Sequence, residues 1–237
     1  MSEAFRAETA STVRTETVVS AVGVATDVRQ ARAQDQHRIQ FALKRVLDLV
    51  LTTLALILLA IPVVLIIVAI KLDSSGPILF TQRRVGFAGK PFKIYKFRSM
   101  VVDAELMKRN INGRNDTDGP LFKMEHDPRM TRVGRFLRRF SLDEVPQLIN
   151  VLLGNMSLVG PRPFLAEETE DHERWQRVRA MAVPGMTGPW QVSGRSELPF
   201  DQIVTLDVRY VEEWSLLMDL RIILRTIPAV LIGKGAY

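Results

Sequence analysis

Residues 49–70 read LVLTTLALILLAIPVVLIIVAI, a run of 22 residues without one charged side chain. As an α-helix this run reaches roughly 33 Å, the thickness of a bilayer's hydrocarbon core. Helices buried in soluble cores seldom run that long without a charge, so the stretch reads as a membrane segment. Pro62 interrupts it. Proline lacks the N–H that a helix needs, so a bend is expected there. The bend leaves arms of 13 and 9 residues. Neither arm alone reaches the ~20 residues that a span requires. Arg38, Lys44 and Arg45 precede the run, and Lys71, Arg83 and Arg84 follow it. Basic residues favour the cytoplasmic side. A straight span and a re-entrant helix–break–helix both fit the length; the second places both basic flanks on that one side.

The rest of the composition narrows the class. The chain has 237 residues, enough for one or two domains with a sizeable core. Lys and Arg number 32 against 26 Asp and Glu, giving a net charge of +6 and a pI near 9.9. That balance points to an anionic partner: nucleic acid, lipid headgroups or a phosphorylated substrate. With no cysteine, a disulfide scaffold, a thiol nucleophile and a zinc–thiolate site are excluded, and a reducing compartment is suited. His37, His126 and His172 are scattered, which argues against a histidine-built metal centre. Residues 1–40 are polar, with one Phe and no Trp. They read as a disordered tail, and without an apolar h-region they are no signal peptide.

Beyond the apolar run, Gly76-Pro77 marks a stop, Ile78–Phe80 a short strand, Gly86–Gly89 a turn and Phe92–Met100 an imperfect strand. Residues 110–127 read as a loop, and helices are expected near 129–153, 164–181 and 200–231. The succession predicts a mainly α fold with short β-strands (α+β). Residues 83–139 hold 15 Lys/Arg against 6 Asp/Glu, so the positive charge is a patch. Within it, Val133, Phe136, Leu137 and Phe140 recur at helical spacing, with Arg132, Arg135, Arg138 and Arg139 between them. Such a basic amphipathic helix suits a membrane interface, although a surface helix with a solvated charged face has the same pattern. Nucleic acid is not expected: aromatic residues are 7% and do not interleave with the basic ones as stacking platforms do.

Candidate chemistry follows that helix. Asp143 and Glu144 stand side by side in Ser141-Leu142-Asp143-Glu144-Val145-Pro146. A structural reading makes one of them a helix cap. Asp143 as N-cap would put Pro146 at the third helical position, where no N–H is needed; Ser141 and Glu144 also have capping-box spacing. A chemical reading makes them nucleophile, base or hard oxygen ligands for phosphate chemistry, with Arg138 one turn away. In Gly160-Pro161-Arg162-Pro163, two prolines present one arginine rigidly, and Gly160 leaves the backbone open to a ligand. Arg195 ends a glycine-broken stretch, Pro184–Arg195, with Trp190 as an anchor. No Walker P-loop, G-x-G-x-x-G or G-x-S-x-G pattern is present.

Together these stretches resemble the bacterial sugar transferases, the monotopic phosphoglycosyl transferases. The matching residues are Lys44-Arg45-x-x-Asp48, the Pro-broken apolar run, Gly76-Pro77-Ile78-x-Phe80-x-Gln82-x-Arg84-x-Gly86, Lys96-Phe97-Arg98-Ser99-Met100, Arg138-x-x-Ser141-Leu142-Asp143-Glu144-x-Pro146-Gln147-Leu148, Met156 to Pro163 and Pro184 to Arg195. The resemblance implies a monotopic protein of the bacterial inner (cytoplasmic) membrane, its active site facing the cytoplasm. It would have a re-entrant helix at 41–75, interfacial amphipathic helices and a membrane-associated catalytic domain at 76–237. It implies transfer of hexose 1-phosphate from a UDP-sugar, UDP-galactose or UDP-glucose, to undecaprenyl phosphate, with release of UMP. Asp143 would be the nucleophile, Glu144 the adjacent acid/base, and both would hold Mg2+. Arg138, Arg162 and Arg195, with Gly160 and Pro161, would bind phosphate and nucleotide; Lys44 and Arg45 would meet the lipid surface, and Pro62 would break the helix.

The sequence departs from the common pattern at Ile61-Pro62, Asn155, Val183 and Gly188-Pro189-Trp190-Gln191. The short N-terminal tail suggests the small, stand-alone form. Membrane lipids, downstream glycosyltransferases and a second copy of the chain are further expected partners. The competing reading is a non-catalytic membrane-anchored scaffold that binds anionic lipid.

Overall fold

The computed structural model describes residues 38–104, 106–107, 127–165 and 173–233. The expected loop at 110–127, save Asp127, and the expected tail up to residue 37 lie outside these; residues 38–40 are helical. The chain divides after Arg45. Of its first unit only helical residues 38–45 are described, with Lys44 and Arg45 half-buried.

The apolar run forms two helices, α1 (Arg38–Leu58) and α2 (Ala60–Asp73), bent by 61° at Leu59. No single helix here is long and apolar enough to cross a membrane, but the bent pair passes that test together. The break lies three residues before the expected one. The missing N–H of Pro62 leaves the Leu58 carbonyl without its usual donor, so the helical ladder stops before Pro62 rather than at it. Leu59 N–H still reaches Ala55 O at 2.8 Å, and Val63 N–H restarts the pattern on Leu59 O at 2.8 Å. Pro62 thus sits in the first turn of α2, where proline is tolerated.

One face of the pair is tied down. Asp48 is buried, and its Oδ1 accepts the Leu158 amide at 3.0 Å. Ile70 packs with Phe97 and Leu137 in a core that Val63, Ile66 and Ile67 line. The other face is bare: Ile57, Leu58, Ile61, Val64 and Leu65 are 58–75% exposed.

Strands β1 (Leu79–Val85) and β2 (Pro91–Phe97) pair antiparallel from Leu79↔Phe97 to Val85↔Pro91. The first is longer than expected, and the turn between them is where it was expected. Helix α3 (Arg132–Arg139) follows. Thr131 caps its Gly134 amide at 2.9 Å, and Asp73 from the end of α2 accepts its Val133 amide at 3.0 Å. A carboxylate there also suits the helix dipole. At Gly134 a β-carbon would overlap the Ser99 carbonyl, so glycine is what allows α3 to lie on the hairpin.

The helical stretch expected near 129–153 is divided after α3, in the region where the cap readings put a new helix start. Ser141 adopts φ 53, and a single 3-10 turn, Leu142–Glu144, leads to α4 (Gln147–Leu152). The expected apolar stripe of α3 is also divided. Leu137 is buried while Phe136 is 57% exposed, lying 5.1 Å from the Phe140 ring.

Strands β3 (Ser157–Val159) and β4 (Gly185–Thr187) pair in parallel, with α5 (Glu173–Ala180) between them in the chain. The expected helix over 200–231 is two, α6 (Phe200–Glu212) and α7 (Leu216–Ile232). Ser215 caps α7 through the Met218 amide at 3.3 Å. The fold is therefore α+β, as expected.

Candidate active site

Side chains alternate along β2: Phe97 enters the core with Ile70 and Leu137 on one face, while Ile94 is buried on the other and Lys96, on the same side as Ile94, reaches Glu144 in the turn after α3. Asn150 of α4 fixes that strand by imitating a β partner: its Nδ2 donates to Lys93 O at 2.7 Å, and its Oδ1 accepts Tyr95 N–H at 3.1 Å. Leu142 and Val145 pack into the core with Phe97 and Leu137. With those two anchored, the intervening Asp143 and Glu144 face Lys96.

The capping reading of this turn does not hold. Neither Ser141 nor Pro146, the residues before the turn and before α4, makes a side-chain cap, and Pro146 precedes α4 rather than occupying its third position. The carboxylates are left for other work. Asp143 is buried. Glu144 Oε1 lies 2.7 Å from Lys96 Nζ and 3.6 Å from Arg162 Nη1. The Arg162 guanidinium is also 5.8 Å above the Trp190 ring. Arg138 and Arg195 stand near enough to act electrostatically on Glu144. A small cleft, partly open to solvent, is lined by Arg84, Lys96, Glu144, Gln147, Arg162 and Gln191 among others.

The two carboxyls are driven apart. Burial pushes Asp143 above the ordinary carboxylate range, and the charge of Glu144 pushes the same way against Lys96, Arg138 and Arg162. Burial also pushes Glu144 upward, but the Lys96 ammonium and the Arg162 guanidinium outweigh it and hold Glu144 at about 2. Lys96 is itself drawn below its usual value by burial, with Glu144 resisting. Two adjacent carboxyls with separated affinities for a proton have distinct chemical tasks.

Two of the expected ligand-binding residues are packed into the fold. Pro161 is among the fully buried side chains. A β-carbon at Gly160 would strike the Val183 carbonyl and the Gly185 amide. Gly160 therefore lets β3 approach β4 closely. What the sequence reading missed is Lys96, quoted within a matching stretch but given no role. Its signal was a lysine two residues from Ile94 on the inward register of β2.

Among the described residues no three acidic or histidine side chains converge. Asp143 and Glu144 are two hard oxygen donors beside a cleft with three cations. That donor set fits Mg2+, which takes one or two carboxylates and completes its shell with water and substrate phosphates.

Residues 39–233 match the family model described as bacterial sugar transferase. The chain is 46% identical over 194 residues to the galactosyl transferase CpsE of Streptococcus agalactiae, covering 81% of this chain and 43% of that one. It is 44% identical over 200 residues to the undecaprenyl-phosphate galactose phosphotransferase of Salmonella typhimurium, covering 82% and 42%. Against the exopolysaccharide production protein ExoY of Sinorhizobium fredii the identity is 39% over 198 residues, covering 82% and 88%. This chain belongs to the bacterial sugar transferase family. It spans less than half the length of the streptococcal and Salmonella relatives and matches nearly all of ExoY.

Proposed function

We propose that the protein moves hexose 1-phosphate from a UDP-sugar to undecaprenyl phosphate and releases UMP, the priming step of an exopolysaccharide or another envelope glycan. The observation that carries this reading is a buried aspartate beside a glutamate that two cations hold ionised, at the edge of a cationic cleft. A carboxylate oxygen of Asp143 attacks the phosphorus that bears the sugar. The bond from that phosphorus to the bridging oxygen breaks, and UMP leaves with the electron pair. An oxygen of undecaprenyl phosphate then attacks the same phosphorus and frees Asp143. One site thus serves a water-soluble donor and a lipid acceptor in turn. Arg162, Arg195 and Arg138 bind the diphosphate. Glu144, which Lys96 and Arg162 hold ionised, stands beside Asp143 as its acid/base partner. Asp143 and Glu144 would hold Mg2+, which when bound would neutralise charge on the phosphates.

The bare face of α1 and α2 supports a re-entrant membrane anchor with the site on the cytoplasmic face, because apolar surface on that scale is rarely left in water. Phe136 and the arginines of α3 suit the headgroup layer beside it. With no native cysteine, Gln40→Cys and Ser75→Cys can each be labelled alone. Both should react with a membrane-impermeant thiol reagent from the cytoplasmic side only. Labelling from opposite sides would show a straight span.

The names of the streptococcal and Salmonella relatives support galactose. Purified protein with undecaprenyl phosphate should release UMP from UDP-galactose or UDP-glucose faster than from N-acetylated UDP-sugars. Binding to anionic vesicles without UMP release from any UDP-sugar would instead favour the scaffold.

A further inference from the structure

The guanidinium of Arg162 reaches Glu144, but its place is decided by its backbone. The carbonyls around it are held by fixed donors. Gly185 N–H donates to Pro161 O at 2.9 Å. Arg84 Nη1 donates to Pro163 O at 3.3 Å, and Val85 N–H to Phe164 O at 3.0 Å. The carbonyl of Arg162 itself is taken by Arg179 Nη2 at 3.0 Å.

Arg179, on α5, is buried, and its Nη2 meets Asp207 Oδ2 of α6 at 2.5 Å. Its guanidinium carbon also lies 5.7 Å over the Phe164 ring. Asp207 has no exposed surface at all. Taking two charges out of water is costly, and an apolar pair of similar volume is often as stable or more so. An apolar pair, however, could not grip a carbonyl of the loop that carries Arg162.

We propose that Asp207 and Arg179 are positioning residues of this site. Asp207 orients Arg179, Arg179 fixes the Arg162 carbonyl, and the Arg162 guanidinium is thereby held between Glu144 and the Trp190 ring. The role rests on the transferase reading above. The arrangement also carries a pH dependence. Burial raises Asp207 to about 6, against the charges of Arg179 and Arg162. Those are the charged groups that bear on it from α5 and the arginine loop; the Trp190–Val192 turn, which also packs on α6, brings none. As pH falls through about 6, Asp207 takes up a proton and Arg179 loses its orienting charge.

The test is UMP release by the full-length protein with UDP-galactose and undecaprenyl phosphate, for wild type, Asp207→Asn and Arg179→Lys. The donor KM of both variants should rise about tenfold or more, because misplacing a binding group by about 1 Å costs up to ~100-fold. The fall in kcat should be smaller than the rise in KM. In wild type the donor KM should climb below pH 6, and in Asp207→Asn it should not. Arg179→Lys keeps a cation beside Asp207 but not the planar head whose Nη2 meets both Asp207 and the Arg162 carbonyl, so it carries the test if Asp207→Asn does not fold. Wild-type KM and an unchanged pH profile in a folded variant, with only a lower Tm, would overturn the proposal and leave the pair a purely structural role. Absence of UMP release from wild type would overturn the transferase reading instead.

Discussion

Asp143→Asn is expected to abolish UMP release while leaving the protein folded and on the membrane. The amide has the same shape but no nucleophilic oxygen. Removing a residue that forms the covalent bond costs on the order of 10⁴–10⁶ in kcat. Stability should move the other way. Burial raises the Asp143 carboxyl above its unfolded value. Such a group adds stability below the unfolded pKa and loses it as pH rises through the folded one, so at pH 7 the ionised side chain is a strain on the fold. Asparagine removes that strain. Thermal unfolding at pH 7 should therefore show Tm unchanged or raised in the inactive variant. A nucleophile kept at some expense to stability is a familiar trade-off. Turnover surviving in Asp143→Asn would refute the assignment.

Lys96→Met should cost about 100-fold or more in kcat/KM, the scale seen when one preorganised charge is removed from a reacting centre. Methionine keeps the length and apolar stem, so the hairpin should hold. The pH profile distinguishes loss of charge from loss of packing. Lys96 contributes to keeping both carboxyls ionised. Without it Glu144 rises from about 2 and Asp143 rises further, so the acid limb of kcat/KM should move to higher pH. The same sign governs stability. A depressed Glu144 stabilises the fold above its unfolded value near 4.5 and loses that contribution as pH falls towards 2. Lys96→Met forfeits part of it at neutral pH. An acid limb that stays in place would mean that Lys96 serves the packing of β2 alone.

The parts legible in the sequence were those with local signatures. The Pro-broken apolar run, the turn at 86–89, the Asp143-Glu144 pair and Arg162 between its prolines each announced themselves. Their exact geometry depended on distant partners. The helix break moved to Leu59 because Pro62 acts on a carbonyl one turn earlier. The new helix starts at Gln147 and not at the capping positions because Leu142 and Val145 are drawn into the core with Phe97 and Leu137, which no periodicity of the segment itself reports. Gly160 looked like an opening for ligand, whereas its neighbour is a strand from 25 residues downstream, at Gly185. Lys96 was hidden because its function is defined by a glutamate 48 positions away. The Arg179–Asp207 pair joins two helices with no motif between them.

The account turns on Asp143 forming a bond to phosphorus before the acceptor arrives. Purified protein incubated with UDP-galactose in the absence of undecaprenyl phosphate, then digested and analysed by mass spectrometry, reads that event directly. The expected result is one hexose phosphate attached to the peptide that contains Asp143, with UMP released in equal amount, and loss of the adduct when undecaprenyl phosphate is added. UMP release only when both substrates are present, with no adduct on Asp143 at any time, would contradict the covalent route.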